Sequence, residues 1–176
     1  MPVITVFGSA QCSAESFEYR AAELLGQLLG DNGFDVATGG YGGVMEAALK
    51  GASGAEVRRI GVTTPELKSR TRNDFVGEEI VANTYLKRLE TLVNIGDAYV
   101  VLPGGTGTLM ELAATLTLRG KHLIPPKKII CFGEQWNEVI QTMAFYSERT
   151  LDFFELLDYV DKVEEAIELL TDIKDK

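Results

Sequence analysis

Short runs rich in β-branched residues alternate along this chain with longer stretches whose apolar positions recur every three or four residues. That order predicts a parallel sheet covered by helices on both faces. The runs place strands at Val3–Phe7, Asp35–Thr38, Arg59–Val62, Glu79–Val81, Ala98–Leu102, Lys128–Phe132 and Leu157–Val160. Helices are predicted at Ala14–Asn32, Val44–Ala52, Thr84–Ile95, Leu109–Arg119, Glu134–Tyr146 and Lys162–Leu170. In the first of these, Phe17, Ala21, Leu24, Leu25, Leu28 and Leu29 form one apolar stripe, and Gly33 stands where a left-handed cap ends a helix. The fold class is therefore α/β, a doubly wound and mainly parallel sheet of about six to seven strands. A chain of 176 residues fits one domain, taken here as 1–176.

Three glycine-rich turns punctuate the pattern, each after a strand and before a helix. They are Gly8-Ser9, the run Thr38 to Gly43 with Gly39, Gly40, Gly42 and Gly43, and the run Pro103 to Thr108. In open parallel sheets ligands bind beyond the carboxyl ends of the strands. Glycine lets main-chain amides approach a ligand closely, and the first turn of a helix supplies unpaired donors, so the natural guest is a phosphate. Neither longer turn completes G-x-G-x-x-G, because Met45 and Met110 occupy the third glycine positions, and no G-x-x-x-x-G-K-[ST] occurs. These absences disfavour a dinucleotide dehydrogenase and a P-loop NTPase. The least regular segment, Thr63 to Gly77, is polar, carries Lys68, Arg70 and Arg72, and reads as a long loop of the kind that forms lids or contact surfaces.

Composition narrows the partners. A net charge of −9 repels polyanions, and no basic stripe with interleaved aromatics offsets it, so nucleic acid is not expected as a partner. A small anion held by local amides remains compatible with that charge. With one histidine and two cysteines lacking C-x-x-C spacing, no metal site is expected. The chain begins without a signal-peptide pattern and has no run of about 18 apolar residues, which predicts a soluble cytoplasmic protein that does not engage a membrane.

The string PGGTGTLME, Pro103 to Glu111, resembles the PGGxGTxxE motif of the Lonely Guy (LOG) family, formerly labelled lysine decarboxylases. The opening strand ending in Gly8-Ser9, the segment TGGYGGVMEAALKGA and Arg88 before DAYVVLPGG agree with it, so the resemblance runs from about Val3 to Trp136. It implies a Rossmann-like homodimer that hydrolyses the N-glycosidic bond of nucleoside 5′-monophosphates, releasing free base and ribose 5-phosphate without a cofactor. Cytokinin riboside monophosphates and AMP are the family's familiar substrates. The matching positions give Arg88 and Glu111 catalytic places. The run Gly104, Gly105, Thr106, Gly107 and Thr108 becomes the phosphate loop, and Thr117 stands where a ligand-contacting threonine is common. Two departures are visible: Leu89 follows the arginine where cytokinin-activating members usually have lysine, with Lys87 before it, and Thr106 replaces a common aromatic.

The chemistry suits these residue types. Breaking a ribosyl N–C bond builds positive charge on the sugar, which an ionised carboxylate stabilises, while a guanidinium lowers that carboxylate's pKa and binds phosphate oxygens. The pattern also leaves other readings open. Thr108-x-x-Glu111 is a capping box, and Arg88 by helical period is compatible with a solvated surface charge. A related protein of this family carries molybdenum cofactor, so a non-catalytic carrier of a phosphorylated ligand is the alternative function. Pyridoxal phosphate chemistry lacks a Schiff-base lysine placed by any motif, and Cys12 has no evident base partner for a nucleophilic role.

Overall fold

The computed structural model describes residues 1–146 and 155–173. Seven strands form one sheet: β1 (Val3–Phe7), β2 (Asp35–Thr38), β3 (Arg59–Thr63), β4 (Glu78–Val81), β5 (Ala98–Val101), β6 (Lys128–Phe132) and β7 (Leu157–Val160). Their order is β4-β3-β2-β1-β5-β6-β7, and every pairing is parallel. The chain builds outward from β1 to β4, then returns to the other side of β1 with β5. The seam between β1 and β5 is thus the topological switch point, where the flanking connections diverge and leave a crevice at the strands' carboxyl ends.

Among the described residues six helices cover the sheet: α1 (Phe17–Asp31), α2 (Val44–Gly51), α3 (Tyr85–Ile95), α4 (Thr106–Gly120), α5 (Glu134–Tyr146) and α6 (Val163–Leu170). Alternation within each strand explains two cores. Ile4, Val6, Val100, Leu102, Ile130 and Phe132 join Leu25 and Leu29 of α1, Ala48 of α2 and Ile167 of α6 on one face. Val3, Phe7, Tyr99, Val101, Ile129 and Cys131 join Leu92 of α3, Leu112 of α4 and Trp136 of α5 on the other. Strands buried on both faces read as continuous apolar runs, which is why they stand out in the sequence. Among the described residues no helix is long and apolar enough to cross a membrane.

Element bounds differ from expectation mostly at helix starts. α1 begins at Phe17 because the Ser16 hydroxyl accepts from the Tyr19 amide at 3.1 Å, a side-chain cap that outcompetes helical continuation back to Ala14. Phe17, expected in the buried stripe, is 67% exposed and stacks on Phe132 instead. Gly33 takes a φ of 70°, the left-handed conformation expected of it. α4 starts at Thr106, three residues earlier than the apolar pattern begins. Its first turn is glycine and threonine with no apolar residue, so periodicity cannot detect it. The acidic C-terminal stretch forms α6 and a short 3-10 turn at Thr171–Ile173, with Val163, Ala166, Ile167 and Leu170 buried, and its last three residues lie outside the described ones.

α1 and α2 pack closely enough that a Cβ on Gly26 would lie 1.9 Å from the Ala48 carbonyl oxygen. Overpacking of this kind costs about 1–3 kcal/mol. Gly26→Ala is therefore expected to lower the melting temperature by several degrees in calorimetry, whereas the same substitution at Gly54, which has open space around it, leaves it nearly unchanged.

Candidate active site

A cleft of about 310 Å³ opens over the β1/β5 switch point. It is lined by the turn after β1 from Gly8 to Gln11, by Gly39 and Tyr41 after β2, by Tyr85 and Arg88 of α3, and by Gly105 to Thr108 and Glu111 of α4. Leu67 and Arg70 close its far side. This size lies at the lower end of the range for small-ligand sites.

α4 meets the cleft with an uncapped start. Gly105 is its N-cap and brings no side chain, while Gly105, Thr106 and Gly107 are exposed. Among the described residues no acceptor takes a hydrogen bond from the amides of Gly105, Thr106, Gly107 or Thr108. Four adjacent donors at the positive end of a helix dipole are the arrangement that suits an anion. Gly104 is different, since its amide donates to Gln135 Oε1 at 3.1 Å and its carbonyl accepts from Gln135 Nε2 at 2.8 Å. The turn after β1 is also engaged, with the Ser9 amide bonded to the Pro103 carbonyl at 3.1 Å and its own carbonyl accepting from Val44 at 2.8 Å. That second bond occupies the first amide of α2, whereas the first amide of α4, on Thr106, has no such partner among the described residues. Gly40, Gly42, Gly43 and Gly104 support the turns without lining the cleft, and Gly43 opens α2 with a φ of 67°.

Arg88 stands on the first turns of α3, which the Thr84 hydroxyl caps by accepting from Lys87 N at 3.1 Å. It is only 4% exposed, not a solvated surface charge, whereas Leu86 on the same helix is exposed. Its Nε donates to the Val62 carbonyl at 2.7 Å and its Nη2 to the Gly39 carbonyl at 3.1 Å. The rings of Tyr41 and Tyr85 lie 5.4 Å and 5.7 Å from its guanidinium carbon. Gly39 makes room for it, since a Cβ there would sit 1.6 Å from Nη2. Nη1 faces Glu111 Oε1 at 3.8 Å.

Glu111 projects into this cleft from α4, and the earlier start of that helix puts Thr108 inside it rather than at its cap. The capping-box reading therefore fails: Thr108 Oγ1 packs toward Gly104, and no hydrogen bond ties Glu111 to the helix start among the described residues. Burial pushes the Glu111 carboxyl up from 4.5 to about 7, while Arg88 pulls it the other way. Desolvation exceeds attraction because the pair stands apart by more than hydrogen-bond distance.

The remaining expected residues fall elsewhere. Thr117 is exposed on α4, away from the cleft lining, because six residues along a helix turn it well round from Glu111. Lys87 does not stand in for a lysine at Leu89, as it points outward and pairs with Glu90 at 2.9 Å. Cys12 lies outside the lining, and burial raises its thiol pKa, the opposite of activation. Sequence reasoning missed Tyr41, Tyr85, Met45 and the cleft position of Arg70. Only Tyr85 carried a usable signal, its spacing of three residues from Arg88 on one helix face.

A family model described as the "SLOG cluster4 family" matches residues 1–158. The chain is 31% identical over 149 residues to the "Pyrimidine/purine nucleotide 5'-monophosphate nucleosidase" of Escherichia coli (strain K12), covering 80% of this chain and 30% of that protein. It is 32% identical over 112 residues to the "Cytokinin riboside 5'-monophosphate phosphoribohydrolase LOG" of Oryza sativa subsp. japonica, covering 62% of this chain and 46% of that one. The chain thus spans less than half the length of these curated relatives. Among solved structures, the molybdenum cofactor binding protein of Rippkaea orientalis superposes with a TM-score of 0.77 at 27% identity, covering 98% of this chain and 96% of that one.

The raised Glu111 pKa has a consequence for stability. Between pH 4.5 and about 7 the folded chain holds a proton that the unfolded chain has lost, so stability falls as pH rises through that window. Glu111→Gln removes the penalty, which is on the order of 3 kcal/mol. The melting temperature of the variant is expected to pull ahead of the parent's as pH is raised from 5 to 8, and the gap to close at acid pH.

Proposed function

The chain belongs to the SLOG cluster4 family, and from that premise we propose that it is a phosphoribohydrolase of nucleoside 5′-monophosphates, releasing free base and ribose 5-phosphate. The observation that carries this reading is the pair of buried Arg88 and half-buried Glu111 sharing one cleft with the four open amides at the start of α4. The names of the relatives above support the reaction class at modest identity.

In this account the 5′-phosphate accepts hydrogen bonds from Gly105 to Thr108, which fixes the ribose over the first turns of α4. Glu111, in its ionised form, faces the anomeric carbon as the bond to the base lengthens and positive charge develops on the sugar. It also accepts a proton from the water that completes hydrolysis. Arg88 orients that carboxylate and holds part of its charge at neutral pH. The residues 1–176 act as one nucleotide-binding domain, and the resemblance described above adds a homodimer, which sedimentation equilibrium tests.

A second reading is favoured by one observation: the molybdenum cofactor binding protein matches this chain over nearly the full length of both. In that reading the cleft retains a phosphorylated ligand without turnover. Tight binding by the chain with Glu111 in place, with no product formed, separates it from hydrolysis.

Incubation with AMP, GMP, CMP and isopentenyl-AMP, followed by chromatography of the free base, tests the enzyme directly. No base from any substrate at high protein concentration would overturn it. Glu111→Gln is expected to lower kcat by about 10²- to 10³-fold, and Gly39→Ala to do comparable harm by displacing Arg88. Because the catalytic carboxylate must be ionised, kcat/KM rises with pH through about 7. The bound phosphate raises Glu111 further, so the limb of kcat lies at higher pH than that of kcat/KM.

A further inference from the structure

One cation of the cleft has no task in the reaction above. Arg70, on the segment between β3 and β4, is exposed at the mouth, and among the described residues its guanidinium makes a single long contact from Nη1 to the Ala10 carbonyl at 3.5 Å. Arg88 is locked by two carbonyl bonds, whereas Arg70 keeps most of its five donors for a ligand.

The backbone that presents Arg70 is tied down. Asn73 donates from its amide to the Gly40 carbonyl at 2.9 Å and from Nδ2 to the Tyr41 carbonyl at 2.8 Å. The Tyr41 hydroxyl accepts from Thr64 N at 2.9 Å and donates to Thr64 O at 3.1 Å. Glu66 accepts from the Tyr85 amide at 2.6 Å, fastening the segment to α3. Within the segment, Arg70 N closes a turn onto the Leu67 carbonyl at 2.9 Å. Leu67 and Arg70 are thus delivered together to the cleft.

Position assigns their role. Ala10 packs on the α2 side of the β1 turn, where a Cβ on Gly43 would lie 2.8 Å from its carbonyl carbon. The open amides of α4 lie on the β5 side. We infer that a 5′-nucleotide with its phosphate on α4 and its anomeric carbon at Glu111 extends its base toward Leu67 and Arg70, which line the same cleft, and that Arg70 reads the base there, donating a forked pair of hydrogen bonds to a purine's 6-carbonyl oxygen and its N7. The site then prefers 6-oxopurine nucleotides, those of guanine or hypoxanthine, over adenine, which presents an amino donor at that edge. Leu67 supplies the apolar contact beside the fork. This inference rests on the phosphoribohydrolase reading.

Titration calorimetry in the Glu111→Gln background, where turnover is suppressed, measures GMP, AMP and ribose 5-phosphate with and without Arg70→Gln. Arg70 is exposed, so folding is expected to persist, and matched melting temperatures check it. With Arg70 present, GMP binds about tenfold or more tighter than AMP, and Arg70→Gln abolishes that preference. Ribose 5-phosphate changes by no more than about twofold. Equal binding of GMP and AMP with Arg70 present, or an equal loss of ribose 5-phosphate and GMP on its removal, overturns the inference and leaves the reaction class standing. Failure of all three ligands to bind the Arg70-containing chain overturns the phosphoribohydrolase reading and this inference with it.

Discussion

Arg88 is a charge held away from water, and the cleft is organised around meeting its needs. Two carbonyls at the ends of β2 and β3 accept its hydrogen bonds, two tyrosine rings border it, and Gly39 clears the space that a Cβ would fill. An unpaired buried guanidinium would be expensive, so these contacts constrain where α3 can sit against the sheet. Glu111 completes the arrangement from α4 at 3.8 Å, close enough to feel the charge and too far to be neutralised by a hydrogen bond. A carboxyl poised near neutrality follows from that intermediate distance and from burial acting together.

The same geometry explains how a chain of net charge −9 can attract a phosphate. The long-range field is unfavourable, but the start of α4 concentrates open amides at one place, and short-range hydrogen bonds outweigh screened repulsion. In the proposed reading a phosphate bound there would repel Glu111 across the first turns of α4, so that substrate binding and protonation of the carboxyl would be coupled, with Arg88 moderating the coupling. Relatives named as nucleosidase, phosphoribohydrolase and molybdenum cofactor binding protein share similarity with this one chain. A fold that gathers amides at a switch point supports retention as readily as reaction, and the carboxylate in the cleft is what favours reaction here.

Much of the fold was legible because doubly buried strands write themselves as apolar runs and because glycine marks the strand-to-helix turns. The strands and α-helices of the described residues all correspond to runs visible in the chain. The misses have physical causes. The first turn of α4 contains no apolar residue, so its true start, and with it the fate of the Thr108–Glu111 spacing, is invisible to periodicity. Phe17 lies on the helical stripe but at its first position, where it covers the rim of the core by stacking on Phe132 and stays exposed on its other side. At the site, Arg88 and Glu111 were readable only through a motif, since burial of a charge leaves no trace in spacing. Tyr41 and Arg70 reach the cleft through long-range hydrogen bonds between the β3–β4 segment and the glycine turn, contacts no local pattern encodes.

The central physical claim is that the amides of Gly105 to Thr108 are the phosphate site. Titrating ¹⁵N-labelled protein with ribose 5-phosphate reads it without requiring turnover. The account predicts saturable downfield shifts of those four amide resonances, with the Gly104 amide, already bonded to Gln135, moving less. Stationary resonances there, with the largest shifts instead at Gly40 to Gly43, would contradict it.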